Sequence, residues 1–113
     1  MSHEINQIAI DALNNCAIEC NHCTTACLNE ENVNMLVNCI KLDIDCAAIC
    51  SLTASLLARN SAHGRHLLKE CIEVCNACAA ECEKHAHHHE HCKKCAEACR
   101  KCAEMCHNHE LIH

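Results

Sequence analysis

The stretch Cys71–Cys82, "CIEVCNACAAEC", places its cysteines four, three and then four residues apart. Steps of three and four return a side chain to one face of an α-helix, the face that leucine fills in an ordinary bundle. That rhythm decides the fold because it recurs along the chain. Cys16, Cys20, Cys23 and Cys27 form one stripe, and Cys39, Cys46 and Cys50 a second. Cys71, Cys75, Cys78 and Cys82 form the third, and Cys92, Cys95, Cys99, Cys102 and Cys106 the fourth. Together they account for all 16 cysteines. Four stripes at such spacing ask for four helices whose seams face a common axis.

With no Pro and a single Gly in 113 residues, the chain has few breakers, and its interruptions are polar. "LNEENVN" (residues 28–34), "RNSAHGR" (59–65) and "EKHAHHHEH" (83–91) separate the stripes. The predicted helices run over about 4–27, 31–59, 63–84 and 88–110. Asn29 or Asn32, and then Asn60 and Ser61, serve as caps, with Gly64 as a turn residue. Short connections make successive helices antiparallel neighbours. The expectation is an all-α protein, one domain over residues 1–113, built as an up-down-up-down four-helix bundle with a cysteine-lined core. The second stripe is broken: four-three-four stepping from Cys39 passes through Asp43 before Cys46, and Thr53 and Leu57 follow Cys50.

Composition removes several function classes. Nine Lys+Arg against 15 Asp+Glu give a formal charge of −6, and there is no aromatic ring on which a base can stack, so nucleic acid is not an expected partner. No apolar run reaches the ~20 residues that span a bilayer. The opening "MSHEINQIAIDALNNC" has neither the basic region nor the apolar stretch of a secretory signal, which points to the cytosol. Thiols stay reduced there, and a Cys-rich pattern reads as metal binding before disulfides. Cysteines one turn apart on a helix also meet disulfide geometry poorly. As mere hydrophobes they are a poor choice, since Leu or Ile would fill the inward positions better.

Thiolates select Cu(I), Zn(II) and Fe–S clusters. Structural zinc comes in discrete sets of four ligands, and Fe–S clusters sit in tight Cys-rich loops with their own spacings. Continuous stripes suit Cu(I) instead, held by two or three thiolates and extended through bridging sulfurs. Each Cu(I) that displaces a thiol proton leaves the interior neutral, so about one ion per cysteine is the expected loading. Asp43 enters this array either as an oxygen ligand or as a hydrogen-bond acceptor for thiols. His85, His87, His88, His89 and His91 lie in the last turn, at the bundle end that also holds Cys27, Cys39, Cys82 and Cys92. They are candidate entry ligands, with His87, His89 and His91 in transient capture. His107, His109 and His113 fall toward the opposite end. Met105 reads as core filling and Met35 as core or interface. Met35, Leu42, Ile49 and Leu56, flanked by Ile44 and Leu52, form a second apolar row on the second helix and suggest a contact between copies of the chain.

The segments "CIEVCNACAAECEKH" and "CKKCAEACRKCAEMC", with the His-rich turn between them, resemble the bacterial copper storage proteins, a family of Cys-rich four-helix bundles. The resemblance extends from about Cys16 to Cys106 and, without a signal peptide, is to the cytosolic branch. It implies many Cu(I) ions held inside the bundle, tetrameric assembly and no catalytic turnover. The second helix, with three cysteines and Asp43, departs from the pattern. Two other classes stay open: a copper or zinc transfer chaperone or metallothionein-like buffer, and a thiol redox sensor using a reactive CxxC pair. The number of ions bound per chain separates them.

Overall fold

The computed structural model describes residues 3–112. Four helices account for nearly all of it: α1 (His3–Leu28), α2 (Val37–Ala58), α3 (Gly64–Glu83) and α4 (Glu90–Ile112). No strand occurs among the described residues. α1 packs against α2 and α4, and α3 packs against the same two, so the helices form a four-membered ring. The diagonal pairs meet through side chains on the axis, as Cys16 of α1 and Cys75 of α3 do at 4.0 Å. The overall extents, 46 × 19 × 18 Å, are one helix long and two helices wide. No helix is long and apolar enough to cross a membrane.

The expected helices stand within one or two residues at most ends, and the start of α2 is the exception. Val33–Leu36 form a 3-10 turn that precedes α2. The tighter turn drops Leu36 fully into the core, and Asn32 flanks it without a side-chain cap. After α2, Asn60 takes the left-handed conformation, φ 55°. It thereby does what a terminal glycine usually does. Gly64 is therefore not the turn residue; it opens α3, where an added Cβ would stand 3.2 Å from Leu57 Cδ2. Its small size lets the start of α3 close against the end of α2. Ser61 supports the same turn by accepting the His63 N–H on its hydroxyl at 3.2 Å.

Every stripe cysteine faces inward and is fully buried, as are Asp43 and Thr53 where the second stripe changes chemistry. Aliphatic packing is concentrated at the ends. Ala9, Leu13, Leu57 and Leu68 fill the end where α1 begins and α4 finishes, and Leu36 caps the other. Leu42 and Ile49 of the second apolar row lean on this core from partly buried positions. Met35 is not a core residue: it is 69% exposed, beside exposed Val37, Ile44 and Leu52.

Candidate metal centre

Helical spacing brings sulfurs together along each helix, and the bundle brings them together across helices. Cys16 and Cys20 are 4.0 Å apart, Cys46 and Cys50 3.9 Å, and Cys23 and Cys27 3.8 Å. Cys16 also lies 3.8 Å from Cys46 and 3.7 Å from Cys99, so one sulfur joins three helices. Cys75 continues the network to Cys46 at 3.7 Å and Cys50 at 3.6 Å. Toward the His-rich turn, Cys20 meets Cys95 at 3.7 Å and Cys39 meets Cys82 at 3.3 Å. At the opposite limit, Cys71 meets the Thr53 hydroxyl at 3.0 Å, and Cys102 adjoins Cys106. All sixteen thiols are free.

These contacts resolve into sets of four atoms lying within 4.8 Å of one another, including Cys16/Cys46/Cys50/Cys75, Cys20/Cys78/Cys95/Cys99 and Cys23/Cys27/Cys39/Cys92. A further set, Cys16/Cys20/Cys46/Cys99, shares members with the first two. A soft ion held by two or three of these sulfurs thus always has the next sulfur within reach, and a sulfur can bridge two ions. Burial pushes the Cys27 thiol, beside His91, up to about 12.

Asp43 sits fully buried in the middle of this sulfur. Its Oδ1 accepts from the Cys78 thiol at 3.0 Å, Cys95 at 3.2 Å and Cys82 at 3.7 Å, while Oδ2 accepts from Cys39 at 3.8 Å. Burial, with the neighbouring Cys95 next in importance, pushes its carboxyl up to about 9. Of the two roles the sequence left open, thiol hydrogen bonding is the one the metal-free chain displays.

The five histidines of the turn divide sharply. His91 Nδ1 lies 3.6 Å from Cys23, 3.8 Å from Cys27 and 3.6 Å from Cys92, a direct link between the bundle end and the array. Its other nitrogen, Nε2, is 3.0 Å from Glu30 Oε2. His89 Nδ1 reaches the same oxygen at 2.7 Å, and His85 pairs with Glu81 at 3.1 Å. His87 and His88 are exposed. Glu30 was not singled out in the sequence; the available signal was that the turn after Cys27 must deliver its acidic residues to the His-rich end. At the far end, His109 is buried with Nε2 2.9 Å from Asn6 Oδ1, His107 is exposed, and His113 lies outside the described residues. A cavity of about 770 Å³ opens there, and Leu57 and Leu68, which belong to the packed core, form part of its wall.

The model of the copper storage protein family matches residues 2–111. The chain belongs to that family. Solved members superimpose closely. A cytosolic copper storage protein from Streptomyces lividans carrying five coppers is 42% identical, with a TM-score of 0.91 over 94% of this chain and 92% of that one. The same protein loaded with 10 copper equivalents gives a TM-score of 0.91 at 42% identity, over 94% and 83% of the two chains. The Cu(I)-bound copper storage protein BsCsp3 is 39% identical with a TM-score of 0.87, over 92% and 96%. Among curated proteins, the uncharacterized cysteine-rich protein YhjQ of Bacillus subtilis is 39% identical over 86 residues, which is 76% of this chain and 80% of the relative.

Proposed function

We propose that this copper storage family member sequesters many Cu(I) ions along its bundle axis, without catalytic turnover. The observation that carries this reading is the continuity of the sulfur: neighbouring sets of four share thiols, with Asp43 the one interruption. A transfer chaperone needs an accessible site of low capacity, whereas here every thiol is buried. A redox sensor needs one reactive pair, and no pair here is set apart from the rest. The sixteen cysteines are the primary ligands, and Asp43 orders the thiols around it. His91 is the entry ligand: its Nδ1 faces Cys23, Cys27 and Cys92, from which an ion passes inward by exchange between adjacent sulfurs. His89 and His85 shape the mouth through Glu30 and Glu81, and His87 and His88 act at most in outer capture. Each ion bound displaces a thiol proton, so filling keeps the interior near neutral.

A store of free thiols requires a reducing compartment, which supports a cytoplasmic location. The exposed apolar side of α2, Val37, Ile44 and Leu52 with Met35 before it, supports assembly of copies of this chain, and the family resemblance makes a tetramer the expected form. Anaerobic titration of the reduced protein with Cu(I) against a competing chelator tests the central reading. Uptake above about ten ions per chain is expected from the thiol number. Saturation at one or two ions overturns storage in favour of a chaperone.

A further inference from the structure

Asp43 is out of place in a store built for Cu(I) alone, because a carboxylate oxygen is a poor ligand for so soft an ion. Its surroundings suit another class of cation. Sγ of Cys23 on α1, of Cys39 on α2 and of Cys82 on α3, together with a carboxylate oxygen of Asp43, lie within 4.8 Å of one another. Cys39 stands 3.3 Å from Cys82, and the two reach different oxygens of Asp43, Cys82 to Oδ1 at 3.7 Å and Cys39 to Oδ2 at 3.8 Å. A tetrahedral zinc with bonds of about 2.3 Å to sulfur and about 2.0 Å to oxygen has edges of roughly 3.5–3.8 Å. Atoms already within 4.8 Å of one another therefore close onto such an ion by shifts of about 1 Å or less.

From this set we infer a site for one divalent cation of the Zn(II) class, with Cys23, Cys39, Cys82 and Asp43 as its ligands, embedded in the Cu(I) array. A ligating carboxylate is usually held by further hydrogen bonds, and this one is. The Cys78 and Cys95 thiols donate to Oδ1 at 3.0 and 3.2 Å and can keep doing so when the other oxygen turns to a metal. Four anionic ligands around a divalent ion leave a doubly negative buried centre, which those donors offset only in part. Asp43 is the one buried carboxylate among the described residues, so the array holds a single site of this mixed kind. Access is short: Cys23 is also one of the thiols facing His91, at 3.6 Å. The inference rests on the array being a metal store and adds a second ion class to it.

The test is anaerobic titration of the reduced, metal-free protein with Co(II), followed by Zn(II) competition, for the unaltered chain and for Asp43→Asn, Asp43→Cys and Cys82→Ser. One tight Co(II) equivalent is expected, with a tetrahedral spectrum carrying thiolate charge-transfer bands, and it should be displaced by Zn(II). Asp43→Asn should weaken Co(II) binding by at least about tenfold, and Cys82→Ser likewise, with helicity retained. Asp43→Cys should keep the site and shift its spectrum to the all-sulfur form. An Asp43→Asn protein with unchanged Co(II) affinity and spectrum overturns the inference. So does a chain that fills with Cu(I) but takes up no Co(II), which leaves storage standing; failure of Cu(I) filling itself counts against storage instead.

Discussion

Glu30 and His91 are 61 residues apart in sequence, yet Glu30 Oε2 lies 3.0 Å from His91 Nε2. A carboxylate only accepts hydrogen bonds, so Nε2 donates to Glu30 and Nδ1 is the nitrogen turned toward Cys23, Cys27 and Cys92. The bond also holds the Glu30 carboxyl below its ordinary range. Such a carboxylate–histidine pair fixes both the tautomer and the orientation of a metal ligand. Glu30→Ala should slow Cu(I) uptake by about 10- to 100-fold in stopped-flow measurements while the final capacity stays the same. Glu30→Gln, which can still accept from Nε2–H, should recover part of the rate. Equal rates for both variants and the unaltered chain would remove Glu30 from the entry pathway.

Asp43 makes the metal-free protein sensitive to pH in a direction opposite to that of a salt-bridged carboxylate. Its pKa rises on folding from the ordinary 3.8 to about 9. Between those values the folded chain holds a proton that the unfolded chain has lost, so stability is highest at low pH and declines as pH rises. For this group alone the slope approaches about −1.4 kcal/mol per pH unit. Denaturant unfolding of the reduced protein from pH 5 to 8, below the range where unfolded thiols ionise, should show that decline. Asp43→Asn should flatten it. A pH dependence that is the same in Asp43→Asn and in the unaltered chain would mean that Asp43 takes up no proton on folding.

The inward faces were legible in the sequence because cysteine marks them without ambiguity: every stripe cysteine predicted to point at the axis is fully buried, and Asp43, Thr53 and Leu57 are buried too at the positions where the second stripe continues. Contacts set by tertiary geometry were not legible. Nothing local distinguishes His91 from His87 or His88, and only the return of α1 beside α4 selects the one that meets the thiols. The same holds for Gly64, which looks like a turn former and is instead a spacer against Leu57. The late start of α2 has a local cause, the 3-10 turn that buries Leu36, but the sequence periodicity is equally compatible with an earlier helix.

The outer face of α2 offers a test of assembly. Ile44 and Leu52 are 51% and 50% exposed, on a helix whose only exposed charges are Lys41 and Asp45. Replacing both by glutamate puts like charges at the centre of any contact between copies and leaves the thiol core untouched. Light scattering should then report a smaller species than the unaltered protein gives, with unchanged Cu(I) capacity per chain. If the mass is the same for both, α2 is not the contact surface.

The direction of entry follows from the unequal ends of the bundle. At one end His91 touches three thiols directly, while at the other Leu13, Leu57 and Leu68 are packed into the core. An ion arriving at the first end finds a nitrogen already beside three thiols; at the second, Leu57 and Leu68 wall the cavity alongside His66, His109 and Glu110, and His109 is engaged by Asn6. Replacing His85, His87, His88, His89 and His91 together by asparagine should therefore slow both Cu(I) uptake and chelator-driven release by at least about tenfold. The number of ions held at saturation should not change, because the thiols that set it are intact. Replacing His107 and His109 should leave both rates within about a factor of two, provided helicity shows the Asn6–His109 contact to be dispensable for folding. If instead the second pair slows exchange and the first five do not, metal enters beside Leu57 and Leu68, and the role of His91 reduces to closing the opposite end.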